Sequence, residues 1–417
     1  MKKMDMKSFT IICVLLLLSA CQSDKDKSLL DNRIDFVAAY DNLVEMKISQ
    51  LGSNIRYVPL ETTDSSLIGN SYNICLLDKY ILVNTDARCL LFDKETGKYV
   101  RQIGHKGEDP KGYSEAVCYV HPQTEMLYFK RHPNKLQKYD LEGNYRGEAV
   151  MLSSSCYPLL TEDGMWGYES ASLLGGASKA YLYNLNEHGV KSDSLLLNMT
   201  NEDELNPSEI LSITVFKGNH SLKNMGLSSY NGAVFVKCKD KSIISLSNYP
   251  VLRHYKEEIH FREELGDTIY QLYEKELQPK WVFDMGVYRL PPEKRGLVEE
   301  SKECVPITYA AETPVYIYFE CIKNFYGEPQ LYYGLYNKEE GKAYIGEAGD
   351  GFVDDVNNFL PLRLHYIGDN GEVAGMLPLE NIMAWQEAHP NISSEGALSF
   401  LKELDEDANP ICVIVEP

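Results

Sequence analysis

Residues 90–100 read LLFDKETGKYV and residues 335–345 read LYNKEEGKAYI, so one hairpin pattern occurs twice in the chain. Each copy has a strand-like apolar run, then Asp or Asn, then a polar stretch that contains Gly followed by Lys. Asp and Asn side chains start turns by accepting backbone N–H groups, and glycine adopts the positive φ that such turns need. The pattern therefore predicts an antiparallel hairpin at both places.

Two related hairpins lie between them, KYDLEG at 138–143 and LYNLNEHG at 182–189. Asp93 and Asp140 are 47 residues apart, and Asp140 and Asn184 are 44 residues apart. This period is typical of a four-stranded propeller blade. We therefore expect an all-β fold, a β-propeller with four-stranded antiparallel blades, rather than a β-sandwich array or an irregular β-rich fold.

The hairpins along the chain predict six blades with long insertions, although the length would hold more blades if each were compact. The fourth blade is expected to begin with 233–238 and to end with the hairpin at 268–283. The fifth is expected at 315–336 and the sixth at 364–371. A weak helical pattern follows at 380–388.

A propeller must also join its first and last blades, because an open ring would expose unpaired strand edges. Residues 55–61 alternate in a strand pattern before the first blade, and we predict that they pair with the last blade near 359–380. Pro59 has no N–H group and therefore suits an outer edge. Residues 411–415 are a second candidate for the closing strand. A short C-terminal helix is expected at 395–404, where leucines recur every three residues.

The first residues have the features of an export signal. A basic start precedes the apolar run 9–18, which is too short to span a bilayer and suits the core of a signal peptide. The sequence Leu18-Ser19-Ala20-Cys21 resembles the lipobox of bacterial lipoproteins, in which the Cys becomes the lipid-modified N-terminus. The expected organisation is a signal peptide at 1–20, a polar tether at 21–50 and a single propeller domain at 51–417.

The composition limits the partners of the chain. It has 417 residues, with 41 Lys and Arg against 61 Asp and Glu, and so a net charge of −20. This acidic balance argues against nucleic acid as a partner, because phosphate binding needs a basic face. An apolar fraction of 44% and a charged fraction of 24% are typical of a folded soluble protein. We therefore expect contact with the membrane only through a lipid anchor on Cys21.

Several further stretches resemble a known family. They are YVPLETT at 57–63, GDTIY at 266–270, PKWVFD at 279–284 and DANPI at 407–411. With the repeated hairpins, they resemble the six-bladed β-propeller lipoproteins of Bacteroidota, which are similar to NHL-repeat proteins. The resemblance implies the propeller fold and an outer membrane location, leaves exposure at the cell surface open, and implies no established reaction. At Glu108–Tyr113 the chain departs from the glycine-rich pattern of the family, so no ligand role of that loop follows from the resemblance.

Ten cysteines are present, of which Cys13 lies in the signal and Cys21 is the expected site of lipid attachment. No Cys or His pair has the spacing of a zinc site. Several of the others lie in apolar strand-like runs, where a free thiol packs as a small hydrophobic group. Buried thiols are therefore favoured over one or two disulfides among Cys75, Cys89, Cys118, Cys156, Cys238, Cys304, Cys321 and Cys412.

The sequence carries no motif for a nucleophile elbow, a phosphate loop or a dinucleotide site. No catalytic residue, metal ligand or cofactor is expected. The pair His254 and His260 and the pairs Glu257–Glu258 and Glu263–Glu264 are interpreted as surface groups. The expected function is that of a non-enzymatic binding or scaffold module for a protein or glycan ligand. The alternative is a metal-dependent propeller hydrolase or lyase, which needs a ring of ligands from different blades.

The loop between the first and second blades is the candidate binding site, because propellers bind ligands where such loops meet the channel. Its polar residues are Arg101, His105 and Glu108. Ser194 and Thr268 are candidate O-glycosylation sites, since Asp-Ser-Leu and Asp-Thr-Ile resemble the Asp-Ser/Thr-apolar acceptors of Bacteroidota. Ser194 is favoured because its surroundings in the sequence are more polar.

Overall fold

A computed structural model describes residues 32–152, 157–169, 179–200, 207–217, 232–247, 251–390, 396–402 and 404–417. Most of these residues lie in short strands. In chain order the strands are β1 (Arg33–Asp35), β2 (Asn54–Pro59), β3 (Tyr72–Leu76), β4 (Tyr80–Thr85), β5 (Cys89–Asp93), β6 (Tyr99–Gln102), β7 (Cys118–Val120), β8 (Leu127–Arg131), β9 (Lys135–Tyr139), β10 (Tyr145–Val150), β11 (Tyr157–Thr161), β12 (Gly164–Glu169), β13 (Lys179–Leu185), β14 (Lys191–Thr200), β15 (Ile210–Lys217), β16 (Gly232–Cys238), β17 (Ser242–Ser247), β18 (Leu252–Tyr255), β19 (Glu258–Phe261), β20 (Thr268–Tyr273), β21 (Glu276–Asp284), β22 (Ile307–Glu312), β23 (Tyr316–Lys323), β24 (Gln330–Asn337), β25 (Lys342–Glu347), β26 (Tyr366–Ile367), β27 (Val373–Leu377) and β28 (Ile411–Glu416). The helices are α1 (Phe36–Tyr40), α2 (Val298–Ser301) and α3 (Leu379–Ala388), with 3-10 turns at Ile48–Gln50, Pro207–Glu209, Gly286–Tyr288, Pro292–Lys294 and Gly396–Lys402.

Within the described residues the strands form seven sheets, in which consecutive strands are antiparallel neighbours; the exceptions are β1, which joins β21 in parallel, and β2, which joins β28 from the other end of the chain. We name them sheet 1 (β3–β6), sheet 2 (β7–β10), sheet 3 (β11–β14), sheet 4 (β18–β21 with β1), sheet 5 (β22–β25), sheet 6 (β26–β28 with β2) and the side sheet (β15–β17).

Sheets 1 to 6 pack face to face in a cycle, because each sheet shares a hydrophobic core with the next one. The shared cores contain Leu91 and Phe129 between sheets 1 and 2, Leu136 and Leu185 between 2 and 3, Leu182 and Phe261 between 3 and 4, Phe283 and Phe319 between 4 and 5, Leu335 and Val413 between 5 and 6, and Ile414 and Ile81 between 6 and 1. The side sheet instead packs Phe235 and Ile244 against the core of sheets 3 and 4. The fold is therefore an all-β propeller, as the sequence predicts.

The side sheet corrects the predicted assignment of the fourth blade. Residues 233–238 and 268–283 were expected in one blade, but the structure places the first segment in the side sheet and the second in sheet 4. The hairpin from β16 to β17 has only Lys239, Asp240 and Lys241 between its strands and no glycine. Without the glycine of the other hairpins, the side sheet was not recognised in the sequence as a separate unit. The described residues form seven sheets, where six blades were expected.

The repeated hairpins form the predicted turns. Asp93 Oδ1 accepts the N–H of Thr96 at 2.8 Å, and Gly97 has a φ of 69°. Its counterpart Asn337 starts the matching turn, in which Gly341 has a φ of 64°. In sheet 3 the turn begins at Asn186 rather than at the expected Asn184, which lies inside β13.

The ring closes in sheet 6, as predicted, but the predicted pairing of 55–61 near 359–380 is wrong, because the C-terminal strand β28 lies between β2 and β27. Strand β2 pairs with β28, and β28 pairs with β27, so the segment 55–61 joins sheet 6 rather than sheet 1. The two candidate closing strands therefore lie side by side. Pro59 sits opposite Ile411 on the outermost strand, where no N–H group is needed.

The folded part begins before residue 51, so the predicted tether at 21–50 is wrong over its second half. Ile34 pairs with Phe283 as β1 extends sheet 4 in parallel. Phe36 and Ile48 are buried because α1 and the following turn pack on the sheets. The remaining part of the tether, with the signal peptide and Cys21, lies outside the described residues. No helix formed by the described residues has the length and apolar character needed to cross a membrane.

The helix expected at 380–388 is confirmed as α3. At 395–404 the described residues form a 3-10 helix over Gly396–Lys402, in which Leu398 and Leu401 are buried. Seven cysteines are described and all are free thiols, whereas Cys156 lies outside the described residues.

Candidate functional site

The predicted binding loop leaves sheet 1 after β6 and enters sheet 2 at β7. Arg101 donates to Glu142 O at 2.7 Å and thereby ties β6 to the outer hairpin of sheet 2. His105 is half exposed and hydrogen-bonds to Asp109 within the loop. This bond holds the pKa of the Asp109 carboxyl below its usual value. Among the described residues, no hydrogen bond or ion pair joins Arg101 to His105 or Glu108.

Arg131 supports this loop and was missed in the sequence. It lies at the end of β8 and donates to Glu108 O at 3.0 Å and to Gly112 O at 2.8 Å. An arginine can satisfy several backbone carbonyls at once because its donors form a rigid fork. The loop is therefore held by backbone contacts, while the side chain of Glu108 faces solvent.

The two candidate glycosylation sites lie in regular strands. Ser194 is exposed in the edge strand β14, beside Asp193, whose carboxylate is paired with Lys275 at 2.7 Å. Thr268 opens β20, is half-buried and donates to the Asp267 side chain at 3.0 Å. Ser194 is the more accessible of the two predicted glycosylation sites.

The innermost strands of sheets 1 to 6 are β3, β7, β11, β18, β22 and β26, whereas β1 and β2 lie at the opposite edges of sheets 4 and 6. The innermost strands contact each other across the sheet boundaries, β7 with β11, β11 with β18 and β26 with β3. Because they surround one axis, residues far apart in the sequence meet at the centre. These central residues are Cys75, Tyr119, Tyr157, Arg253, Tyr309 and Tyr366, one from the innermost strand of each of the six sheets.

Arg253 joins three sheets at this centre. Its Nη1 donates to Tyr309 Oη on sheet 5, and its Nη2 donates to Ile367 O on sheet 6 at 2.9 Å. The guanidinium carbon lies 5.3 Å from the ring centre of Tyr309, within range of a cation–π contact. On the other side Tyr157, from sheet 3, is close enough to act on the charge of Arg253.

The aromatic residues of the centre are neutral. Burial raises the pKa of Tyr157 to about 12, and it raises the pKa of Tyr366 above its ordinary value. Tyr157 also packs edge-to-face on Tyr119, with ring centres 5.7 Å apart. The centre therefore combines one guanidinium with uncharged phenols, an arrangement that can bind an anion or a polar group.

A second polar cluster fills the boundary between sheets 4 and 5. Glu312 is buried and accepts from Lys338 at 2.6 Å and from Trp281 Nε1 at 2.9 Å. His260 Nε2 lies 2.8 Å from Glu258, and burial lowers the pKa of His260. The interpretation of His260 as a surface group is therefore wrong, since it packs inside this cluster.

Glu257 is exposed, as interpreted, whereas Glu263 pairs with Arg295 at 3.3 Å. His254 Nε2 lies 2.7 Å from Leu160 O. Burial raises the pKa of Glu264 to about 7.

The matched lysines of the repeated hairpins have matched roles. Lys94 donates to Leu77 O at 3.2 Å and to Glu372 at 2.8 Å, across the boundary of sheets 1 and 6. Lys338 donates to the corresponding carbonyl of Thr313 at 2.5 Å as well as to Glu312. Each lysine thus caps the end of an innermost strand and pairs with a glutamate, which is buried at Glu312 and partly buried at Glu372.

No group of three or more His, Cys, Asp or Glu side chains in the described part of the chain is arranged to hold a metal ion. The central Cys75 is a free thiol, and burial raises its pKa above the ordinary value.

Similarity to one solved structure with a TM-score above 0.5 supports the fold. A protein of Bacteroides fragilis that is named as an exported protein is 16% identical, with 92% of this chain and 98% of that chain covered and a TM-score of 0.60. The extracellular domain of a hybrid two-component system from Bacteroides thetaiotaomicron is 10% identical, with 88% and 41% covered and a TM-score of 0.35. The Dos1 propeller is 11% identical, with 77% and 70% covered and a TM-score of 0.31.

One family model matches the sequence of the chain. No curated protein matches the chain. The model of the family described as a domain of unknown function, DUF4934, matches residues 31–416, and the chain therefore belongs to the DUF4934 family.

Proposed function

We propose that the chain is a propeller lipoprotein of the cell envelope that acts as a non-enzymatic binding or scaffold module. The observation that carries this proposal is how its buried charged groups are used. Glu312 and Glu372 are each neutralised by a lysine, and His260 is held by Glu258. These groups stabilise the boundaries between sheets, so the acid and base side chains of these clusters are engaged in structural pairs.

The proposal includes a ring of six blades in which the side sheet is an insertion. Sheets 1 to 6 share their cores in a closed cycle, and sheets 1, 3, 5 and 6 each supply a residue that acts on Arg253 of sheet 4. Strand β11 of sheet 3 contacts β18 of sheet 4 directly, which leaves the side sheet outside the innermost strands.

The envelope location rests on the sequence Leu18-Ser19-Ala20-Cys21 and on the name of the Bacteroides fragilis structure as an exported protein. We place the chain at the outer membrane, held by a lipid on Cys21. Two or three acyl chains would hold it firmly, since each buried methylene contributes about 0.8 kcal/mol.

Cell fractionation in a native host tests the anchor. Cys21→Ser should leave the membrane fraction or retain its signal peptide, whereas Cys13→Ser, in the signal core, should behave as wild type. Normal processing with unchanged membrane association of Cys21→Ser would contradict the anchor.

Metal analysis of the purified mature protein tests the non-enzymatic role. A stoichiometric bound metal would contradict it and would favour the hydrolase or lyase alternative.

A further inference from the structure

Strand β15 leaves one edge of the side sheet open. It pairs with β16, and no described strand lies on its other side. The opposite edge of the sheet is partly covered, because the backbone N–H of Ser242 in β17 donates to Gly296 O at 2.7 Å. An open edge presents a row of backbone N–H and C=O groups, which is a template for a further strand.

The middle of β15 is apolar and exposed. Ile213 and Val215 are both 54% exposed, and they share one face of the sheet because side chains alternate along a strand. Thr214, between them, is on the other face, where its partner Phe235 packs against the core of sheets 3 and 4. The exposed apolar row therefore faces away from the ring. Leu211, at a bulge next to this row, is 58% exposed.

The edge formed by β15 has no charge that would prevent association. The outermost strand of each of sheets 1 to 6 carries at least one charged residue, and in sheet order these include Arg101, Arg146, Lys191, Arg33, Lys342 and Arg56. A charged residue on an edge strand hinders its pairing with another chain. Residues 210–216 carry no charged residue, although the net charge of the chain is −20. Strand β15 therefore lacks the protection that the outer strands of the ring have.

The sequence of β15 is complementary to itself. Residues 211–215 read Leu-Ser-Ile-Thr-Val, so apolar and hydroxyl residues alternate in the same way from either end. When two copies pair antiparallel about Ile213, Ser212 of one copy lies opposite Thr214 of the other, and Ile213 lies opposite its own equivalent. Pairs of apolar residues and pairs of hydroxyl residues stabilise neighbouring strands.

The ends of the strand agree with this arrangement. In the sequence Glu209 precedes the uncharged run and Lys217 follows it. Antiparallel pairing of two copies brings the glutamate end of each strand beside the lysine end of the other. Opposite charges favour such a pair, whereas parallel pairing would bring like charges together.

We propose that the side sheet is a self-association surface and that its partner is a second copy of this chain. Antiparallel pairing of β15 with its equivalent joins two side sheets into one six-stranded sheet. The contact is isologous, so it closes at a dimer. It is confined to one strand edge and one apolar row, and a contact of that extent gives a weak, concentration-dependent dimer. This inference goes beyond the proposed role as a binding module, which does not require a dimer.

Sedimentation velocity of the mature chain, residues 22–417, over a range of concentrations tests the dimer. Wild type should shift from monomer to dimer as the concentration rises, with no larger species. Ile213→Lys and Ile213→Glu should each weaken dimerisation by about tenfold or more, since each places two like charges opposite one another. An equimolar mixture of these two variants should dimerise again, because the opposed charges then differ in sign. Val287→Lys, at a valine that is 83% exposed in the turn next to α1, is the control and should dimerise as wild type does.

Ile213→Cys tests the register without adding a charge. Opposed Cα atoms of paired antiparallel strands lie about 4.5–5.5 Å apart, which is within reach of a disulfide. Mild oxidation should therefore link two copies of Ile213→Cys, whereas wild type and Val287→Cys should stay unlinked in non-reducing electrophoresis. Circular dichroism establishes whether each variant folds, and the cysteine variant decides if a charged variant does not.

The proposal is overturned if wild type stays monomeric at every concentration, if it forms species larger than a dimer, or if a folded Ile213→Lys variant dimerises as wild type does. It is also overturned if the mixture of the two charged variants stays monomeric or if Ile213→Cys is not linked. These results would leave the fractionation of Cys21→Ser unchanged, so failure of the dimer is distinguishable from failure of the envelope role.

Discussion

Glu320 makes the stability of the propeller depend on pH in a direction opposite to that of most acidic groups. It lies on β23 with only 3% of its surface exposed, and burial raises its pKa to about 7 from an ordinary value of 4.5. Tyr318 donates to Oε1 at 2.8 Å, and Oε2 has no partner among the described residues. The folded chain therefore holds a proton on Glu320 that the unfolded chain releases near pH 4.5.

The sign and size of the pH effect on stability follow from this difference in the pKa of Glu320 between the folded and unfolded states. Between pH 4.5 and 7 the folded state binds more protons than the unfolded state, so the free energy of unfolding falls as the pH rises through that window. At about 1.4 kcal/mol for each pH unit, the loss attributable to Glu320 is about 3 kcal/mol between pH 4.5 and 8.

Glu320→Gln removes the titrating group and keeps an oxygen for Tyr318. In urea unfolding at a series of pH values from 4.5 to 8, the variant should gain about 3 kcal/mol relative to wild type as the pH rises. Any constant cost of the buried amide cancels in this comparison. Glu347→Gln, at an exposed position on the edge strand of the same sheet, is the control and should follow wild type. Parallel curves for Glu320→Gln and wild type would refute the reasoning.

Three further predictions concern the turns, the sheet boundaries and the thiols. A Cβ at Gly97 would overlap the backbone of β2, whereas a Cβ at Gly341 would have its nearest neighbour 4.0 Å away. Gly341→Ala should therefore cost about 1–2 kcal/mol of unfolding free energy, because of the positive φ alone. Gly97→Ala should cost clearly more, and paired urea unfolding curves measure both. Lys94→Met leaves Glu372 without its cation at the boundary of sheets 1 and 6 and should cost about 3–5 kcal/mol in the same assay. Lys98→Met, at an exposed position in the same turn, should cost under about 1 kcal/mol. Equal effects of the two variants would argue against the Lys94–Glu372 pair. Because the seven described cysteines are free thiols, titration of the denatured, unreduced protein should find at least seven, and a lower number would show disulfides.

The turns were predictable from the sequence because they are local. At Asp93 and Asn337 the side chain bonds backbone N–H groups two or three residues further on, so the whole interaction lies within one short stretch. The closing strand was predictable for a different reason. A ring needs its ends joined, and Pro59 limits β2 to an edge. The side sheet was not predicted because the loop between β16 and β17 contains Asp240 but lacks the glycine of the other hairpins.

The centre could not be predicted, because its residues are brought together only by the ring. Tyr157, Arg253 and Tyr309 are separated by whole sheets in the sequence. In the run LRHY at 252–255, His254 was the residue interpreted from the sequence, whereas Arg253 is the residue whose side chain contacts two other sheets. A charged residue inside the strand that opens a sheet is the signal that could have found it. Arg131 gives a similar signal at the end of β8, where it supports the predicted loop.

The closure of the ring and the central site depend on the same strands. Arg253 is held in part by Ile367 O, which belongs to β26 of sheet 6. That short strand pairs with β27, which is held by β28 from the C-terminus, and β28 is covered by β2 from the N-terminal segment. Because each strand supports the next, the terminal strands do more than cover an edge. They position one of the two acceptors that hold the guanidinium, so the geometry of the central site depends on both ends of the chain being in place.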